Sequence, residues 1–317
     1  MTLPLRIRLL GAALARAKGP VATMSDDKRR ALRNPSAPRW LVAALNGAPA
    51  ASTTSCDLTI PAPWGGLPAR VHRPPGWTPA SRLPVIVAFP GGGWVFGNAG
   101  SLDWLASHLA TGLGAVVVAV TYRLAPEYPA PSAAEDCYAA TQWVSQHAAE
   151  LGADARRLAV LGESSGGNLA AAVALMARDR GDPPIRFQVL LYPATDLTLS
   201  SRSMTSNHDD PILPTADFRA YAGLYLGAQG DSRHPYISPL LAESHSGLPS
   251  AFILTADYDP LRDDGQRYAR ALSKAGVPVE HLDLPDTPHG IFSFPHICRA
   301  SPALAAVRRA LHTALSA

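Results

Sequence analysis

The stretch LAVLGESSGGNLAAAVALM, residues 158–176, sets an aliphatic run almost directly against an alanine-rich one, with only Gly-Glu-Ser-Ser-Gly-Gly between them. Leu158 to Leu161 predict a buried strand and Asn168 to Met176 predict a helix, so the chain must reverse within a few residues. Gly162 and Gly166 flank Ser164 in the G-x-S-x-G spacing of a nucleophile elbow. Small neighbours are needed there because the serine sits on a sharp, strained turn that crowds adjacent backbone. The same pentapeptide also suits a plain strand-to-helix turn, where Ser and Gly are common caps. The surrounding sequence has to choose between the two.

Outward from this point, strand and helix signals alternate. LPVIVAFP (83–90) and GAVVVAVTY (114–122) are continuous apolar runs of the kind buried on both faces of a sheet. A helical stretch near 101–112 separates them. Helices are predicted over 131–150, 164–180, 262–275 and 302–316. Strands are predicted at RLAVLGE (157–163), RFQVLLYP (186–193), SAFILTAD (250–257) and VPVEHLDLP (277–285). Ahead of them CDLTIPA (56–62) and LPARVHRP (67–74) flank the turn signal PWGG and predict a hairpin. This alternation implies an α/β architecture, a mostly parallel sheet covered by helices on both faces. Residues 1–50 read as helical with a break at PSAPRW (35–40). The stretch of roughly 200–235, which includes TADFRAYAGLYLG (215–227), carries helices but no strong strand. An insertion of that kind after a strand is where a lid is built.

Composition narrows the partners. The chain has 317 residues, 47% of them hydrophobic, enough for one large α/β unit with a sizeable core. A formal net charge of +3, with Lys and Arg scattered, argues against nucleic acid as a partner. Cys56, Cys137 and Cys298 lie far apart and share no metal-type spacing, which fits buried free thiols in a reducing compartment, with one disulfide as the alternative. MTLPLRIRLLGAALARAKG (1–19) reads as an amphipathic helix with Leu3, Leu10 and Leu14 on one face, rather than a signal peptide. No run approaches membrane-spanning length, so stable membrane insertion is not expected and a cytoplasmic location is the default. The sequence leaves a homodimer open.

A serine nucleophile needs a base, an orienting acid and donors for the oxyanion, and an open α/β sheet offers these at the carboxyl ends of its strands. His289 in DTPHGIFSF (286–294) follows a predicted strand and sits between Pro288 and Gly290. His281 falls within that strand and His208 falls in the insertion. For the acid, TADYDPLRDDG (255–265) offers Asp257 at the strand end and Asp259 opening a turn with Pro260. Asp263 and Asp264 have the ordinary role of carboxylates at a helix N-terminus. Asp259 ranks ahead of Asp257, and the chain order is then Ser, Asp, His. For the oxyanion, Gly91, Gly92 and Gly93 in FPGGGWVFGN (89–98) let backbone N–H groups approach a ligand unobstructed, and the N–H of Ser165 completes a donor set.

With these residues in place, the chain resembles the bacterial esterases of the hormone-sensitive lipase family, within the α/β-hydrolase fold. The resemblance rests on PGGGW (90–94), YRLAPEYPAP (122–131), GESSGGNLA (162–170), LLYPATD (190–196), DPLRDDG (259–265) and HGI (289–291). It implies Ser164 as nucleophile, Asp259 as acid and His289 as base. Oxyanion donors would come from Gly92, Gly93 and Ser165, with Gly91 shaping the loop. It also implies a helical cap formed by residues 1–50 and about 200–235, over a catalytic domain of residues 51–317. The expected activity is hydrolysis of short- to medium-chain acyl esters through an acyl-enzyme, with no metal and no organic cofactor. An amidase or peptidase using the same residues, and a non-catalytic ligand-binding relative, are the alternatives. Trp94, Phe96, Tyr192, Ile291 and Phe292 are candidates for an apolar substrate pocket, each equally suited to ordinary core packing. Two positions depart from the family pattern. Pro90 replaces a histidine that would brace the glycine loop, and Ser165 replaces a commoner alanine.

Overall fold

A computed structural model describes residues 3–33 and 39–316. In chain order the first elements are α1 (Leu5–Lys18), α2 (Asp26–Arg33), α3 (Arg39–Asn46), β1 (Thr54–Ala62), β2 (Gly65–Arg73) and β3 (Leu83–Phe89). They are followed by α4 (Asp103–Leu113), β4 (Val116–Val120), α5 (Ser132–Gln146), β5 (Ala153–Glu163), α6 (Ser165–Arg180) and β6 (Phe187–Leu191). The last are α7 (Ser203–Ser206), α8 (Thr215–Leu226), β7 (Ser250–Ala256), α9 (Arg262–Lys274), β8 (Val279–Leu284) and α10 (Ser301–Leu315). The eight strands form one sheet in the order β1-β2-β4-β3-β5-β6-β7-β8. β2 pairs antiparallel with β1 and β4, and the six strands from β4 to β8 run parallel.

The expected hairpin is there, closed by a two-residue turn at Pro63 and Trp64. The central strands are buried along their whole length because alternate residues feed opposite cores. Val85 and Val87 face α5, α6 and α9, whereas Ile86 and Ala88 face α4 and α10. Helix α6 has 13 of its 16 residues buried, which explains its alanines. A helix enclosed on all sides packs closely only if its side chains are short. β5 begins at Ala153, five residues before the apolar run that opens at Leu158, since the mostly polar segment 154–157 lies at its outer end.

α1 buries Ile7, Leu10 and Gly11, while Leu3 and Leu14 are half-buried. Gly11 is needed for this seat, because a Cβ there would lie 2.3 Å from the Cβ of Pro211. Lys18 closes the end of the helix by pairing with Asp217 of α8 at 2.6 Å, and the Val21 N–H donates to the same carboxylate. The N-terminal helices and the 207–226 segment are thereby joined to each other. The expected break at 35–40 lies largely outside the described residues. Among the described residues no helix is long and apolar enough to cross a membrane, and the three cysteines are free thiols, of which Cys137 is buried as expected whereas Cys298 is half-buried and Cys56 exposed.

Candidate active site

The turn between β5 and α6 is as tight as its glycines suggest. Ser164 has φ 57°, in the left-handed region that a non-glycine residue enters only when its surroundings hold it there. A Cβ on Gly162 would lie 1.9 Å from the Gly166 carbonyl oxygen, and one on Gly166 would lie 2.0 Å from that of Phe89. Neither position admits any side chain. The strained serine is anchored by its own N–H, which donates to Leu191 O at 2.9 Å, and by its carbonyl, which accepts from Asn168 N at 3.0 Å.

Ser164 Oγ lies 2.8 Å from His289 Nε2, and His289 Nδ1 lies 2.6 Å from Asp259 Oδ2. The three residues come from the carboxyl ends of β5, β7 and β8, as the open-sheet argument requires. Asp259 is fully buried, and its second oxygen accepts the Leu261 N–H at 2.7 Å, which fixes the carboxylate's rotation. Burial works against a charged imidazole at His289. The charge and hydrogen bond of Asp259, with the charges of Asp210 and Glu163, outweigh it and hold the group above its ordinary value. Asp257 is turned away: it is half-exposed and pairs with Arg262 at 3.4 Å. Asp264 departs from the role expected of it. It is buried, and it accepts from the N–H groups of Thr195 and Asp196 and from the Ser201 hydroxyl, so it anchors the 195–201 loop.

The glycine loop is built for close approach. A Cβ on Gly92 (φ 127°) would lie 2.4 Å from Phe96 O, and one on Gly93 (φ 63°) would meet the Tyr221 ring at 2.4 Å. Among the described residues the Gly92 and Gly93 N–H groups donate to no protein acceptor, and Ser165 begins α6, where the first N–H groups are free. These glycines, with Ser164 and His289, line a cleft of about 270 Å³.

The pocket candidates divide. Tyr192 lines the cleft, its ring set edge-on to His289 with centroids 4.9 Å apart. Trp94 is instead fully buried and stacked on Tyr225 at 4.4 Å, while Phe96 packs edge-on against Tyr221. Ile291 and Phe292 turn into the core on the α4 side, where Phe292 meets Trp104. These four support the loops from behind, and none of them is a wall of the cleft. The walls are Ile212, Leu213, Tyr192 and Tyr221, with Lys18, Asn46, Ser101 and Ser293 supplying polar surface. The cleft is therefore less apolar than the sequence suggested.

Two acids were missed from sequence. Glu163, directly before Ser164, is buried and accepts the Tyr192 hydroxyl at 2.7 Å. Burial raises its carboxyl, opposed by that hydrogen bond and by His289. Asp210, in the loop between α7 and α8, accepts the backbone N–H of His289 at 2.9 Å. The only signal for Glu163 was its place in the elbow, and Asp210 had none.

Fold, topology and the loop arrangement define an α/β hydrolase. A family model described as the alpha/beta hydrolase fold matches residues 86–293, and the chain belongs to that family, the one anticipated from its motifs. It is 45% identical over 254 residues to carboxylesterase NlhH of Mycobacterium tuberculosis, covering 78% of this chain and 79% of that one. It is 42% identical over 263 residues to esterase LipI of the same species, covering 81% and 82%. Among solved structures, a hyperthermophilic esterase from Pyrobaculum calidifontis superposes with a TM-score of 0.88 at 35% identity, covering 99% of both chains. The family thus includes carboxylic ester hydrolases.

Proposed function

We propose that the protein is a serine carboxylesterase acting on short- to medium-chain acyl esters through an acyl-enzyme. The observation that carries this reading is the continuous line from Ser164 Oγ through His289 to Asp259, beside two glycine N–H groups that donate to no protein acceptor among the described residues. His289 takes the Ser164 proton as Oγ attacks the ester carbonyl. The developing oxyanion is held by the N–H groups of Gly92, Gly93 and Ser165, and Gly91 shapes their loop. Collapse of the tetrahedral adduct expels the alcohol with the proton held by His289. The same imidazole then activates water to release the acid, while Asp259 keeps its tautomer and orientation throughout. The names of the relatives supply the ester class.

The preference for shorter acyl chains rests on the cleft. Its volume of about 270 Å³ and its closure by the N-terminal helices and the 207–226 segment, read as a two-part cap, suit a small ester better than a long lipid chain. Three unpaired cysteines support a cytoplasmic setting. The deciding experiment is turnover of p-nitrophenyl esters from two to sixteen carbons, with matched anilides as controls. It is combined with mass-spectrometric mapping of a serine-directed phosphonate. Labelling of Ser164 and a maximum between about two and eight carbons are expected. Labelling elsewhere, or a preference for long chains or anilides, would count against the reading.

A further inference from the structure

Asp210 lies in the loop between α7 and α8, outside the three loops that carry Ser164, Asp259 and His289. Yet it is only 2% exposed. Both of its carboxylate oxygens are occupied. Oδ2 accepts the N–H of His289 at 2.9 Å, and Oδ1 accepts the N–H groups of Ile212 and Leu213, each at 2.7 Å. Ile212 and Leu213 are walls of the cleft. Three residues earlier, the Asn207 side-chain amide donates to the carbonyl oxygens of Asp257 and Asp259, each at 2.9 Å. On the outer side, Pro211 is the seat of Gly11 in α1. One short loop therefore holds the backbone of the base, the backbone of the acid, the cleft wall and the N-terminal helix.

A buried carboxylate is costly unless its oxygens are satisfied by donors, and here the donors come from two separate elements. The arrangement has little value as loop stabilisation alone, for which an uncharged residue would serve at less desolvation cost. We propose that Asp210 is a positioning residue, which locks the His289 loop to the Ile212–Leu213 wall so that substrate contact and placement of the base move together. This rests on the esterase reading of the site. The charged and titratable groups facing Asp210 are Asp259 and His289 from the two catalytic loops and Cys298 from the segment that follows. Burial, with the charge of Asp259 adding to it, pushes the Asp210 carboxyl up to about 6, opposed by the N–H donors and by His289. Its negative charge in turn favours the protonated form of His289.

The test is D210N, nearly isosteric but uncharged, assayed on p-nitrophenyl butyrate across pH 5 to 9 beside the wild type. A linked wall and base predict that kcat falls and KM rises together, with kcat/KM lowered about 10- to 100-fold. Loss of the charge predicts that the acid limb of the profile moves to lower pH by roughly half a unit or more. A lowered Tm with kcat, KM and profile unchanged would reduce Asp210 to a structural residue and overturn the proposal. If D210N does not fold, D210E decides. It keeps the charge, so the acid limb stays in place, but its longer arm displaces the wall and KM rises at least about fivefold. D210E with wild-type KM would equally overturn it. Absence of wild-type turnover would remove the esterase reading and this proposal with it, whereas wild-type turnover with an unaffected D210N removes the proposal alone.

Discussion

The Tyr122 hydroxyl donates to the Pro90 carbonyl oxygen at 2.8 Å. Both residues are buried, Tyr122 just past β4 and Pro90 just past the neighbouring strand β3. Pro90 lacks the imidazole expected at that position, but its backbone is braced from next door, immediately before the glycine loop. Y122F should leave the buried carbonyl unsatisfied, at a cost of about 1–3 kcal/mol. It should also lower kcat about 10-fold with little change in KM, because the loop in its proposed oxyanion role acts on the transition state rather than on substrate binding. Steady-state kinetics and thermal unfolding of the same variant check both effects. Since Pro90 is itself buried, P90H has to overpack its surroundings, and a lower Tm is expected rather than a faster enzyme.

S164A should abolish ester hydrolysis while circular dichroism stays that of the folded protein. S165A should be nearly silent, because only its backbone N–H is asked to act. A dead S165A beside an active S164A would move the elbow by one residue.

D259N should cost on the order of 10⁴ in kcat, since the amide cannot hold His289 in the required tautomer. D257N should cost far less, because that carboxylate faces Arg262 and solvent. The comparison needs only single-turnover or steady-state rates at one pH. Equal losses would mean that the acid has been misplaced.

In the proposed mechanism His289 must be neutral to accept the Ser164 proton. His289 is held above its ordinary value, so activity is lost as pH falls through that raised value, and the midpoint of the acid limb should lie above 6.5. A profile of kcat/KM that stays flat to pH 5 would argue strongly against His289.

Asp264 gives a stability prediction with a definite sign. Burial, opposed by the Ser201 hydroxyl and helped by the charge of Asp196, holds its carboxyl up at about 7, from an ordinary value of 3.8. Between those values the folded chain keeps a proton that the unfolded chain has released, so this group lowers stability as pH rises through the window. The stability of the wild type relative to D264N should therefore decrease from pH 4.5 to pH 7.5. Urea unfolding midpoints at the two values measure it, and parallel pH dependences would show that Asp264 does not titrate there.

What could be read from the sequence followed from local rules. The elbow was legible because Gly162 and Gly166 are sterically compulsory, and Asp259 stood out from Asp257 because Pro260 sets a turn that lifts it from the strand. The sheet was legible because fully buried parallel strands such as β3 and β4 leave uninterrupted apolar runs. The cleft walls were not. Trp94, Ile291 and Phe292 sit in loops beside the proposed catalytic residues, and nothing local says which side of a loop faces the cavity. Glu163, Asp210 and Asp264 owe their importance to partners up to 79 residues away, as Asp210 does to His289. A lone acid carries no pattern that announces such a partner.

The order of strands also bears on how the protein fails. Ser164 hangs from β5 in the middle of the sheet, enclosed by β3, β6 and the buried helix α6. His289 hangs from β8, the last strand of the sheet, every residue of which is only half-buried or exposed. An outer strand with fewer buried contacts opens at a lower free energy than the centre. Mild heat or dilute denaturant should therefore detach the imidazole while the elbow still stands. The protein would fall silent before it melts, with its catalytic competence serving as a gauge of one border of the sheet and its spectroscopic signal as a gauge of the interior.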